Sequence, residues 1–459
     1  MAHKTARSAY KNLVERLNQF PQGAPPSETL YKILEMLFSE EEAEIVAQLP
    51  IRPFTVKKAS RILKKDPAET EKILDELASR AILLDARDEE GKKKYILPPP
   101  MAGFFEFSMM RVRDDLDQEL LSELYHQYLN VEEDFIRELF LSTETKTGRV
   151  FVQEEVLSRD NLIHTLDFER ASHIIETAEH IGISTCYCRH KKHHLDQACD
   201  NPLDICMTFN TTADSLIRHD HARRVDTSEG LELLHKAHEE GLVQFGENVK
   251  EEPSFICNCC GCCCEALVAV RKFGSLNPVE TSAYKPHVDR DSCTGCGRCI
   301  EACHIDIITL ESATNATEYD VPDARKNKSA AVEEAAGAET WKNKNTSGRA
   351  EYGDEWIEID QDICLGCGVC VRACPNDSLH LIRREREIIT PVNSVHRTVM
   401  MAIEKGQLPN LIFENQAFAS HRAMAAVLSA ILKMPPVAQA MASDQLKSRY
   451  LGKLINRLG

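Results

Sequence analysis

Two short stretches of the chain carry cysteines at a spacing that can grip a metal cluster. Cys293, Cys296, Cys299 and Cys303 follow the pattern C-x2-C-x2-C-x3-C, and Cys364, Cys367, Cys370 and Cys374 repeat it, with Pro375 next. Residues 288–303 and 359–374 align at a constant offset, and both copies keep an acidic residue two before the first Cys and a Gly before the second. Three thiolates in such a loop can reach three corners of an iron–sulfur cubane. The fourth is expected one turn into the following helix, where in paired arrangements it ligates the other cluster. The repeat therefore predicts two crossed sets: Cys293, Cys296, Cys299 with Cys374, and Cys364, Cys367, Cys370 with Cys303. Zinc also accepts four thiolates, but zinc ribbons use two separated Cys pairs, so iron–sulfur clusters are the expected occupants.

Ten more cysteines lie upstream. Cys186, Cys188, Cys199 and Cys206 occupy CYCRHKKHHLDQACDNPLDIC, with Arg189, His190, Lys191 and Lys192 at hand to offset an anionic cluster. In an extended segment Cys186 and Cys188 would share a face. A zinc site using His193 or His194, or plain buried thiols, are the alternatives. The segment CNCCGCCCEALVAVRKFG holds Cys257, Cys259, Cys260, Cys262, Cys263 and Cys264. Six thiols cannot all reach one cubane. Cys257 and Cys259 can share a face, after which Gly261 lets the chain turn into a helix whose positive end favours thiolates at Cys262 to Cys264. One cluster drawing three or four of these six is expected, with a thiol of the Cys186–Cys206 group as a further candidate. Cys186, Cys188, Cys199, Cys206, Cys257, Cys259, Cys260 and Cys262 are thus candidate ligands of one or two further clusters. Spare thiols beside a cluster either pack or take part in disulfide chemistry.

The elements that must position these groups are readable in outline. Residues 1–27 read as an extension. Residues 28–100 read as three helices and a hairpin: Leu30, Ile33, Leu34 and Leu37 recur at helical spacing, Asp66 with Pro67 and Glu69 starts a helix, and a charged turn with Gly91 joins two apolar strands. This order resembles a winged helix-turn-helix module. Residues 101–180 form a helical connector, amphipathic over Asp115–Leu141, and 181–275 a Cys-rich domain with helices at 211–223 and 228–241. Residues 284–384 resemble bacterial-type two-cluster [4Fe–4S] ferredoxin domains. The resemblance implies two clusters and electron transfer. His304 stands where that family has Pro, which is expected to shift the start of the first helix. Residues 312–355 are polar and aperiodic, expected to be a mobile insertion, and 385–459 a helical region with an apolar face from Met424 to Leu432. The expected fold is α+β and multidomain: a winged-helix-like start, a helical Cys-rich middle, a ferredoxin-like domain and a helical C-terminus. Such a layout resembles large multidomain ferredoxin-type proteins of anaerobic bacteria.

Composition narrows the function. All 18 Cys fall between Cys186 and Cys374, which suits metal ligation in a reducing compartment better than a disulfide scaffold. Lys plus Arg is 55 against 72 for Asp plus Glu, a formal charge of −17, so nucleic acid is not the expected partner. The helix following Asp66 carries Glu69, Glu71, Asp75 and Glu76, which phosphates repel. No apolar stretch spans a bilayer and no apolar leader opens the chain, so the cytoplasm is the expected compartment. There is no P-loop, dinucleotide fingerprint or HExxH, and no catalytic residue is predicted. His164, His173, His180, His219, His221, His235 and His238 are expected to face solvent or serve structure. The leading expectation is an electron-transfer protein or subunit serving a partner oxidoreductase. The alternatives are a redox-responsive DNA-binding regulator and a thiol or disulfide reductase at CNCCGCCC.

Overall fold

The computed structural model describes residues 2–87, 91–312, 355–385, 388–413 and 419–432. Near the N-terminus, α1 (Ala2–Leu17), α2 (Glu28–Leu37), α3 (Glu40–Gln48), α4 (Val56–Leu63) and α5 (Pro67–Ser79) precede a hairpin of β1 (Leu84–Arg87) and β2 (Lys93–Ile96). The helix starts are written locally. Ser39 and Glu42 form a reciprocal capping box at α3, and Asp66 accepts from the Ala68 and Glu69 amides at α5, with Pro67 in the first turn. Phe54 pairs with Tyr95 of β2 through a single antiparallel bridge beside the hairpin. The hairpin docks inward: Asp85 accepts from Ser215 (2.8 Å) and Arg218 (2.5 Å) and is 1% exposed. The amphipathic stretch of the connector becomes two helices, α6 (Gln118–His126) and α7 (Asp134–Leu141), joined by a wider turn at Gln127–Val131.

The Cys-rich middle is built on a sheet, which corrects the expectation of a helical domain. Strands β3 (Gly148–Val150), β4 (Ile181–Thr185), β5 (Asp204–Phe209), β6 (Arg223–Val225), β7 (Val243–Glu247) and β8 (Phe255–Cys259) form one antiparallel sheet in the order β3-β7-β8-β5-β4-β6. Strand periodicity sorts its side chains. Met207, Phe209 and Ile256 face a core with Ile174, Ile175 and Leu234, which come from α8 (Ala171–Thr177) and α11 (Thr227–Glu239). Cys206, Thr208, Phe245, Phe255, Cys257 and Cys259 face the opposite way, into a cavity. Between the strands run α9 (Tyr187–His194) and α10 (Asn210–Arg218), and α12 (Glu265–Phe273) follows β8.

The ferredoxin-like part keeps its internal symmetry. β9 (Tyr284–Val288) pairs with β12 (Leu379–Arg383), and β10 (Ile308–Ser312) with β11 (Glu355–Ile359), both antiparallel. Two five-residue helices, α13 (Arg298–Ala302) and α14 (Val369–Ala373), start at equivalent points of the repeat. His304 therefore does not displace the first helix. Gly295 and Gly366 adopt φ of 63° and 70°, and a Cβ at Gly366 would stand 2.0 Å from the Tyr284 carbonyl, so the repeated Gly is a turn requirement. Residues 313–354, most of the polar insertion between β10 and β11, lie outside the described residues. The C-terminal region supplies α15 (Ser394–Glu404), α16 (Leu408–Ile412) and α17 (Ala419–Leu432), on which Met424 and Val427 are exposed; residues 433–459 lie outside the description.

Candidate metal centres

The two Cys loops enclose two separate cavities. One is lined by Cys293, Cys296, Cys299 and Cys374, the other by Cys303, Cys364, Cys367 and Cys370. The structure thus brings Cys374 to the first triplet and Cys303 to the second. The third Cys of each loop lies inside the short helix, and the fourth caps its C-terminal end; it is not one turn into a helix, because each helix is only five residues long. Burial pushes the thiols up, Cys299 to about 11 and Cys367 to about 12. These sites are largely apolar boxes in which the four thiolates of each set would hold an anionic cluster.

The upstream cysteines regroup across the two sequence segments. Cys186, Cys188, Cys206, Cys257, Cys259 and Cys264 form a closed ring of thiol contacts: Cys186 meets Cys188 and Cys206, Cys264 meets Cys188 and Cys259, and Cys257 meets Cys206 and Cys259. Cys199, Cys260, Cys262 and Cys263 stand apart as a second set, with Cys199 Sγ 3.5 Å from Cys260 Sγ. The expectation of a first group made of Cys186, Cys188, Cys199 and Cys206 is corrected on this point: Cys199 follows α9 on a loop and joins the 260–263 turn. Cys186 and Cys188 are not on a strand either. Cys186 is the N-cap of α9 and Cys264 that of α12, so two helix N-termini converge on the ring. Cys263 and Cys264, among the six thiols of CNCCGCCC but outside the eight named candidate ligands, take their places from where β8 ends.

Around the ring the thiols alternate. Thiol hydrogen bonds from its neighbours hold Cys186 well below the ordinary thiol range, and likewise Cys264, while Cys188, Cys206 and Cys259 are pushed well above it as donors. Neighbouring thiols also draw Cys257 down to about 6. The ring lines a cavity of about 120 Å³ whose other walls include Met101, Phe107, Met110 and Phe140. Glu106 lines it too, pushed up to about 8, first by burial and then by Cys257. Arg189 is fully buried and donates to the carbonyls of Pro202 (2.9 Å) and Asn258 (2.8 Å), and its Nε has no partner. No carboxylate among the described residues pairs with it; burial works against its charge, and the Cys186 thiolate nearby supports it. A buried cation so placed suits anionic sulfur beside it. Lys191, by contrast, is paired with Glu265 and Asn130 and positions α9 against α12.

Two contacts link the ring to the ferredoxin-like part. Leu267 lines the cavity of Cys303, Cys364, Cys367 and Cys370 and lies three residues, less than one helical turn, after Cys264. Three residues advance roughly 4.5 Å along a helix. His304, directly after Cys303, accepts from the Gly261 amide at Nδ1 (3.2 Å) and donates from Nε2 to the Gly241 carbonyl (2.7 Å). A Cβ on Gly261 would meet the His304 carbonyl at 2.3 Å. The residue that departs from the repeat is the joint between the two Cys-rich parts.

Comparison with known proteins agrees with the geometry of the ferredoxin-like part. Residues 292–378 match the 4Fe-4S dicluster domain. The chain carries two [4Fe–4S] clusters. Ferredoxin-3 of Rhodobacter capsulatus is 25% identical over 109 residues, which cover 21% of this chain and 79% of that protein. No solved structure matches the chain. Among the described residues no helix is long and apolar enough to cross a membrane. Of the histidines, His221 and His238 are buried, while His235 is exposed and pairs with Glu155.

Proposed function

We propose that the chain is an iron–sulfur electron relay: electrons pass through the two clusters of the ferredoxin-like part and on to a third cluster held by the six-thiol ring, to or from a partner oxidoreductase. The observation that carries this reading is the shared wall of the centres, with Leu267 on one cavity and Cys264 on the ring within a single turn of α12. Cys293, Cys296, Cys299 and Cys374 would ligate one ferredoxin cluster, and Cys364, Cys367, Cys370 and Cys303 the other. The clusters supply one-electron chemistry when bound. The chain's own residues hold them by thiolates, exclude water with Ile357, Leu379 and Leu267, and offset charge at Arg189. Eighteen unpaired thiols suit a reducing compartment such as the cytoplasm, and the acidic surface suits a basic docking face on the partner. Strand β1 packs through Asp85 onto α10, which supports an internal packing role for the winged-helix-like module over nucleic-acid binding.

A second reading is favoured by the surplus in the ring. A four-iron cluster needs four thiolates, and six face an apolar cavity, so a thiol or disulfide substrate reduced there is the alternative. The deciding experiment is rapid mixing of the anaerobic chain with dithionite. The relay gives fast bleaching of the ferredoxin clusters followed by a slower phase lost in Cys264→Ser. Absence of any ring-dependent phase refutes it, and turnover of a small disulfide by the isolated chain favours the alternative.

A further inference from the structure

We propose that Cys199, Cys260, Cys262 and Cys263 hold a single zinc ion as a tetrahedral tetrathiolate, distinct from every iron–sulfur centre in the molecule. The inference goes beyond the relay and rests on sulfur spacing. The four Sγ atoms all lie within 4.8 Å of one another, with separations of 3.5 Å (Cys199–Cys260), 3.6 Å (Cys262–Cys263) and 3.9 Å (Cys263–Cys199). Four thiolates on one ion at about 2.3 Å have tetrahedral edges of about 3.8 Å. The same thiolates on the corners of a cubane stand farther apart by a whole iron–iron edge, because each is bonded to a different iron. Neither four-Cys set of the ferredoxin-like part nor the ring forms so tight a group among the described residues. What sets this group apart is that all four sulfurs are close to one another at once, whereas in the ring each thiol meets only its two neighbours.

The surroundings suit a closed structural site. Four thiols lose their protons on binding a divalent ion, leaving a net charge of −2 on the site. Asn201 Nδ2 donates to Cys199 Sγ at 3.3 Å, the kind of outer hydrogen bond that fixes a ligand. Arg189 lies near Cys260, and Lys192 near Cys263 and Cys262, as the compensating cations. Cys262 is exposed and Cys199 half-buried while Cys260 and Cys263 are buried, so the ion has an entry side and two of the four thiols sit in the protein body. All four positions are filled by protein, as in structural rather than catalytic zinc sites. Its role follows from what it ties together: the loop after α9 and the turn between β8 and α12. That turn carries Cys259 and Cys264 to the ring and Gly261 to His304.

The test is metal analysis with zinc X-ray absorption on the full chain purified without oxygen. About one zinc per chain is expected, with a single shell of four sulfurs at about 2.3 Å. In Cys262→Ser, at an exposed position where folding is least at risk, a chelator should strip zinc at a concentration that leaves the parent loaded. Iron content and the dithionite-reduced paramagnetic spectrum should be unchanged. A parent without zinc overturns the proposal, as does loss of iron in Cys262→Ser. Either result leaves the ferredoxin clusters, and so the relay, standing.

Discussion

At the scale of single residues, charge compensation and burial decide what each centre can hold. Arg189 is a fully buried cation that meets sulfur and two carbonyls. Arg189→Met leaves both carbonyls without a donor, at about 1–3 kcal/mol each, and a fall of that order in unfolding free energy is expected from denaturant titration. The reduction potential of the ring cluster should also fall, since a neighbouring positive charge is removed. His221 gives a pH signature. Burial, against the hydrogen bond to the Ser79 carbonyl (3.1 Å), lowers it from 6.5 to about 4. The unfolded chain takes the proton first, so this contribution is complete above pH 6.5 and is lost as pH falls toward 4. The loss between pH 7 and pH 5 is about 2 kcal/mol. His221→Asn should flatten that part of the stability profile, and an unchanged slope would show that His221 is not held neutral. Cys374→Ser is expected to damage the cluster of the distant Cys293 triplet while sparing that of the Cys364 triplet, read from the dithionite-reduced spectra. Damage confined to the nearer triplet would contradict the crossed ligation.

At the scale of elements, the loops were legible and the sheet was not. Both C-x2-C-x2-C-x3-C loops, the cap at Asp66 and the amphipathic stretch of the connector announce themselves through spacing and capping chemistry that act within a few residues. The strand DICMTF alternates apolar residues with Cys and Thr, and FICNC runs from apolar residues into Cys and Asn. Read for chemistry alone, those cysteines hide a period of two. Their pairing partners also lie far along the chain: Met207 meets Ile256, and Ile181 meets both Phe209 and Val225. That is why the partition of ten thiols into six and four was out of reach, for it follows from which strand faces inward and where β8 ends. The joint at His304 belongs to this scale. His304→Pro, which restores the residue found after the second loop, removes two hydrogen bonds, roughly 1–3 kcal/mol together. Faster amide hydrogen exchange over residues 260–264 is expected, with both ferredoxin clusters intact. Unchanged exchange would show that the turn is held without His304.

At the scale of the whole molecule, the parts are arranged around sulfur. The hairpin closes the cavity from one side through Leu84 and the segment after it through Met101, Phe107 and Met110, the sheet supplies its floor, and the ferredoxin-like part abuts it through α12 and His304. A formal charge of −17 implies that association with a basic redox partner weakens as salt rises, which titration of the electron-transfer rate against ionic strength checks. The most direct measurement is iron and acid-labile sulfide per chain, on protein purified without oxygen. Two ferredoxin clusters and one cluster in the ring require about twelve of each, at four irons per unit. A colourless protein with neither iron nor labile sulfide would contradict the relay as a whole, and about eight of each would contradict its extension to the ring.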